Sequence, residues 1–289
     1  MADQAEGLRK QLKAPPLSNE KIGKTISFVS GKGGVGKSNT ALNFSIELIR
    51  AGYDVLLMDL DIGMGNIEIL IGQQTSYTIV DMLERQLSIT EIIEEGPNGL
   101  HFLAGGSGLA SIFTLDNTKM DYFLDQYAKI VQKYDYIVFD MGAGITAESI
   151  HFVLASDECI VVTTPEPTAI MDAYSMIKHI INNEDNMPIY IVMNQAENPK
   201  SGTKALERFK RIIFHFLDIN VHMLGVLPQD KNVSLAVTRQ IPYVLLNKKS
   251  AVARALKLLV VNYHTNQATT RRTKQADTFI GKLKRFVKR

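Results

Sequence analysis

The run Gly31-Lys32-Gly33-Gly34-Val35-Gly36-Lys37-Ser38 is the segment whose residue types most narrowly define a chemistry. It fits the G-x-x-x-x-G-K-[ST] pattern and follows an apolar, strand-like run, Thr25–Ser30. Glycines at these positions let backbone N–H groups curl around phosphate oxygens. The helix that opens at Lys37 adds a favourable dipole. Lys37 is spaced to reach the β- and γ-phosphates, and the Ser38 hydroxyl to ligate Mg2+; Asn39 completes the nucleotide-binding set. Asp59 and Asp61 lie two apart on an extended segment, so both carboxylates face the same way. That pairing suits contact near Mg2+ for Asp59 and positioning of an attacking water for Asp61. The lesser alternative is that the two residues merely cap a helix or turn. Asp140 ends the apolar run Tyr136-Ile137-Val138-Phe139 and is placed to hold Mg2+ through water.

These residues need a scaffold that brings strand ends together. Apolar runs occur at Thr25–Ser30, Val55–Asp59, Leu100–Leu103, Tyr136–Asp140, Cys159–Thr163, Ile189–Asn194 and Met223–Leu227. Helix-like stretches, among them Lys37–Ala51, Lys119–Lys133, Thr146–Ala155, Thr168–Asn182 and Lys204–Leu217, lie between most of them. The alternation predicts an α/β fold, a mainly parallel twisted sheet with helices on both faces. In such sheets ligands sit at the carboxyl ends of the strands. Four pieces follow: a polar segment 1–23 broken by Pro15 and Pro16, an ATPase domain 24–263, a polar linker 264–276 and a helical tail 277–289.

Of 289 residues, 45% are hydrophobic and 21% charged, as in an ordinary globular chain with a sizeable core. The single cysteine, Cys159, excludes an internal disulfide framework and a cysteine-rich metal centre, and reads as a buried small hydrophobe. The N-terminus has no apolar signal core and no run is long enough to span a bilayer, which predicts a cytoplasmic chain. The formal net charge is +2, but the last nineteen residues alone carry +7, which leaves −5 for the rest. That asymmetry points to an anionic partner for the tail rather than a nucleic-acid-binding face on the body; no nucleic acid is expected.

The phosphate loop resembles the deviant Walker A loop of the MinD/ParA ATPases, where the extra lysine, here Lys32, crosses a dimer interface to the partner's ATP. A lone loop lysine is otherwise a solvated surface charge. The resemblance covers residues 24 to about 262 and implies a slow, Mg2+-dependent ATPase that dimerises with ATP, with Lys32, Lys37 and Asp61 as its catalytic residues. It places Met64-Gly65-Asn66 in a first switch loop and makes Gly144 the second switch's N–H donor to the γ-phosphate. Gly142 departs from the family, which commonly has proline there. Val192-Met193-Asn194 and Gly225-Val226-Leu227-Pro228-Gln229-Asp230 resemble the adenine-contacting segments, so Asn194, Pro228 and Asp230 join the nucleotide site. Thr164-Pro165-Glu166-Pro167 resembles the loop that helps to form the dimer surface.

The body most resembles MinD, whereas the two ends point to the flagellar-number regulators of the family, the FlhG group. Phe279, Ile280, Leu283, Phe286 and Val287 form one helical stripe flanked by Lys282, Lys284, Arg285, Lys288 and Arg289. A short basic amphipathic helix behind a linker suits reversible binding to an anionic membrane. The alternative is a helix packed on the body. The N-terminal Asp3-Gln4-Ala5-Glu6-Gly7-Leu8-Arg9 resembles the group's activator element, which implies that Gln4, Leu8 and Arg9 contact FlhF, a signal-recognition-particle-type GTPase. Flagellar basal-body (C-ring) partners are implied in the same way. Competing readings are a ParA-like DNA-partitioning ATPase and a MinD-like division-site regulator. An iron–sulfur carrier lacks its bridging cysteines, and a bacterial tyrosine kinase its C-terminal tyrosine cluster.

Overall fold

β-Branched and aromatic residues dominate the apolar runs, and each run forms a strand in the computed structural model. The structure describes residues 22–61, 65–106, 117–144, 149–184, 186–269 and 278–287. Gln4, Leu8, Arg9 and Met64 lie outside the described residues, as does the side chain of Val287. The strands are β1 (Lys24–Ser30), β2 (Val55–Leu60), β3 (Glu94–Glu95), β4 (His101–Leu103), β5 (Tyr136–Ala143), β6 (Glu158–Thr163), β7 (Ile189–Ala196) and β8 (His222–Pro228). They form one sheet in the order β3-β4-β2-β5-β1-β6-β7-β8. All neighbours run parallel except β3, which pairs antiparallel with β4. A two-residue glutamate strand carries no apolar signal, which is why periodicity misses it.

The helices are α1 (Lys37–Arg50), α2 (Asn66–Ile71), α3 (Ile79–Arg85), α4 (Ile89–Ile92), α5 (Asn117–Ile130), α6 (Ile150–Ala155), α7 (Pro167–Ile181), α8 (Pro199–Leu217), α9 (Lys231–Arg239), α10 (Tyr243–Leu246), α11 (Ala251–Thr269) and α12 (Phe279–Val287). Alternate strand residues feed two cores. Ile137, Phe139, Cys159 and Val161 pack with α5, α6, α7, α8 and α12 on one face. Ile26, Phe28, Val138 and Ile160 pack with α1, α9, α10 and α11 on the other. Burial raises the Cys159 thiol far above its ordinary value, as expected of an inert core residue.

Two boundaries differ from the sequence reading. Residues 264–269 continue α11 instead of starting a linker. His264 stacks on Tyr53 at 4.9 Å, a tertiary contact that outweighs the polar composition. The tail helix does not project freely. Phe279 and Leu283 are buried in the core between α5 and α6, and Ile280 and Phe286 pack half-buried beside them. Phe279 meets Tyr127 at 4.6 Å and Phe139 at 5.2 Å, and Phe286 stacks on His151 at 5.9 Å. An apolar stripe in water is costly, and α6 offers it a matching surface.

Candidate nucleotide site

β1 delivers the phosphate loop to the carboxyl end of the sheet, where β2 and β5 bring their aspartates. Asp59 and Asp140 are directly opposite in the β2–β5 register, so the carboxylates stand side by side beneath the loop. Gly36 adopts φ +86 at the N-cap of α1, a left-handed conformation that glycine adopts without strain. No side chain caps α1 and no acid lies in its first turn, so its first N–H groups and dipole remain available for an anion. By contrast, Asn198 and Asp230 cap α8 and α9 with their side chains. Gly31 lies directly against α7: a Cβ there would fall 2.3 Å from the Asp172 carbonyl.

Lys37 is buried at 6% exposure and donates to Asp140 Oδ1 at 2.5 Å and to Ser38 Oγ at 3.2 Å. The other carboxylate oxygen, Asp140 Oδ2, is buried without a hydrogen-bond partner. Burial raises the Asp140 carboxyl, and the Lys37 ammonium works against that. Burial, then the charge of Asp140, pushes Asp59 up to about 7, against three backbone N–H bonds. A hydroxyl, an under-satisfied buried oxygen and a second close carboxylate form a hard, oxygen-only donor set that fits Mg2+. Ser38 and Asp140 would hold the ion, which supplies charge neutralisation between β- and γ-phosphate oxygens.

Asp59 is nevertheless already occupied: Oδ1 accepts from Asp61 N, and Oδ2 accepts from Asn66 N at 2.7 Å and Ile67 N at 3.1 Å. It therefore caps α2 and braces the chain after β2, the capping use that the sequence left open. Asp61 accepts from the Asn66 side chain at 3.0 Å, and a Cβ at position 142 would stand 3.4 Å from its Oδ1. Gly142, the departure from the family pattern, thus leaves room for Asp61. Gly144 has φ +77, and its N–H donates to the Ser30 carbonyl at 3.0 Å, so it is engaged with β1 here rather than turned to a phosphate. Lys32 reaches outward to Glu166 at 3.0 Å in a pair whose side chains are 42% and 64% exposed. Thr168 lies 3.4 Å from the same ammonium.

The adenine-side residues each hold contacts within the chain. Asn194 donates to the Val35 carbonyl at 2.8 Å, which ties it to the phosphate loop. Asp230 accepts from Asn232 N at 2.9 Å and from Val252 N at 3.2 Å, so it caps α9 and pins the first turn of α11. Burial would raise its carboxyl, but these bonds outweigh it and hold it below the ordinary value. Pro228 is buried at the end of β8. Asn39 accepts from the Asn43 side chain with both its carbonyl and its Oδ1, at 2.8 and 2.9 Å. Sequence reasoning missed Gln195, which donates to the Gly34 carbonyl at 3.0 Å.

Comparison with known proteins agrees with this architecture. The AAA domain family AAA_31 matches residues 23–191. The antiactivator FleN of Pseudomonas aeruginosa is 32% identical over 216 residues, 74% of this chain and 77% of that protein. The flagellum site-determining protein YlxH of Helicobacter pylori is 37% identical over 206 residues, 71% of this chain and 69% of that protein. Among solved structures, the septum site-determining protein MinD of Pyrococcus horikoshii, complexed with Mg-ADP, matches with a TM-score of 0.67 at 22% identity. It is covered in full by 88% of this chain. With the loop, the aspartates and these relatives in view, the chain belongs to the AAA_31 family as a MinD/ParA-type ATPase, in the branch that includes FleN and YlxH.

Proposed function

We propose that this chain is an ATP-dependent dimerisation switch that binds an anionic membrane and regulates flagellar number or placement. In this reading ATP closes two copies across their phosphate loops, with Lys32 of each reaching the other's nucleotide. Dimerisation also frees the tail helices. Residues 1–23 act as a separate arm that activates an FlhF-type GTPase, and C-ring components are further partners.

The observation that carries the reading is the seat of α12. Its stripe packs on α6, the next helix after β5, which carries Asp140 and is followed directly by Gly144. In this reading, movement of Gly144 toward a γ-phosphate would break its bond to Ser30 and so couple the nucleotide to the segment between β5 and α6. Burial of Phe279 and Leu283 contributes roughly 1.5–3 kcal/mol each, opposed by the entropy of ordering the helix. Lipid offers the same side chains a comparable gain, so a bias near 1.4 kcal/mol, about tenfold in population, decides where the tail resides.

Size exclusion and co-sedimentation with anionic vesicles, each with Mg-ATP or Mg-ADP, test the reading. The expected outcome is a dimer that pellets with ATP and a monomer that stays in solution with ADP. Lys32→Ala should retain nucleotide binding and lose both dimer and pelleting. Pelleting that ignores the nucleotide, or a dimer that survives Lys32→Ala, overturns it.

A further inference from the structure

At the end of β7 two consecutive amide side chains reach back to the phosphate loop. Asn194 Nδ2 donates to the Val35 carbonyl at 2.8 Å and Gln195 Nε2 to the Gly34 carbonyl at 3.0 Å. A trans peptide holds its C=O and N–H on opposite sides. Anchoring these two carbonyls toward β7 therefore turns the N–H groups of Val35 and Gly36 away from it, toward the concave side of the loop. Those are donors that a phosphate chain needs.

Gln195 shows two further signs of a task. Its φ is +53, the left-handed region that a long side chain seldom adopts. It is also exposed, so core packing does not account for the conformation. The pairing of β7 with β8 shifts between Met193 and Ala196, and this irregularity is what presents the residue to the loop. Strand end and loop are in direct contact, since a Cβ on Gly36 would lie 2.4 Å from Asn194 Nδ2. The partner Gly34 is itself at φ +80, a conformation free to flip without an external anchor.

We infer that Gln195 is a positioning residue for nucleotide binding: its donated hydrogen bond fixes the Gly34–Val35 peptide in the orientation that receives phosphates, before any nucleotide arrives. The contact is made by the loop alone, without a γ-phosphate, so ATP and ADP benefit alike.

Three full-length variants separate this role from a structural one. Gln195→Ala removes the donor, Gln195→Glu keeps the shape but offers only acceptors, and Gln195→Lys supplies a donor again. Calorimetric titration with Mg-ADP and Mg-ATP, steady-state turnover and nucleotide-free melting are the readouts. The Ala and Glu variants should raise Kd for both nucleotides by roughly three- to tenfold, the range for one intramolecular hydrogen bond. KM should rise more than kcat falls, melting should stay at the wild-type temperature, and Lys should restore most of the affinity. Wild-type affinities in the Ala and Glu variants overturn the inference. An equal loss in all three, with lowered melting, overturns it too, because it assigns Gln195 to the turn itself.

Discussion

Asp61 accepts from the Asn66 side chain at 3.0 Å, and its charge adds to the upward push on the Asp140 carboxyl. In the proposed cycle this carboxylate would orient the attacking water, while the phosphate loop would hold the nucleotide. Asp61→Ala should slow turnover by about 100-fold or more while ATP affinity persists, measured by phosphate release and nucleotide titration. Unchanged turnover would reassign Asp61 to bracing the switch. Its neighbour makes a different prediction. Asp59, pushed up to about 7 by burial and the charge of Asp140, takes up a proton on folding over the interval below that value. The nucleotide-free protein therefore gains stability as pH falls from about 7 toward about 4, and loses it as pH rises through 7. Asp59→Asn does not titrate, so its melting temperature relative to wild type should improve between about pH 5.5 and pH 8. A pH-independent difference would show that Asp59 is already charged throughout. The phosphate loop and the strand-end aspartates were readable because their chemistry demands few residue types at set spacings. The backbone partners of Asn194 and Asp230 were not, because an amide or carboxylate that can meet a nucleotide can equally meet a backbone group, and only the fold decides which groups lie within reach.

Elements with strong periodicity were the legible ones: the parallel strands, α1, α5, α7 and the tail stripe. The short α2, α3 and α4 have too few turns to set a period, although Thr78 with Asp81 and Ser88 with Glu91 form capping boxes at the starts of α3 and α4. The stripe on α12 was visible, but its partner was not. The same pattern suits lipid and a helical groove, and the choice depends on α6, more than a hundred residues away in sequence. The docked arrangement predicts that weakening the seat frees the tail. Phe152 is 2% exposed and lies 6.2 Å, ring to ring, from Phe279. Phe152→Ala opens a cavity worth about 3–5 kcal/mol under the helix. Amide exchange in 279–286 should rise, and vesicle pelleting with Mg-ADP should approach that of wild type with Mg-ATP; protected amides in β1 and β5 check that the body stays folded. An α12 that remains protected in this variant would show that the seat is not what restrains it.

At the scale of the molecule, the two working ends are opposite each other. The phosphate loop sits where the strands finish, whereas Gly23 and Lys24 enter β1 at the other edge, where Glu158 accepts hydrogen bonds from Lys24 and from Tyr263 near the end of α11. A peptide of residues 1–23 should on its own raise the GTPase rate of an FlhF-type partner, and Gln4→Ala should remove the effect; equal stimulation by the altered peptide excludes Gln4. The short join between α11 and α12 has its own consequence. Eight residues, 270–277, join α11 to α12, and a leash of that length could span about 30 Å at most. A body of this size has a radius of gyration near 18 Å, so the leash is shorter than the body is wide. In the proposed membrane-bound state, a released α12 would therefore hold the domain with its strand-start edge toward the bilayer and its nucleotide end turned outward. On that proposal a partner taken up by residues 1–23 would be delivered to the lipid as cargo, while nucleotide exchange would proceed on the open side.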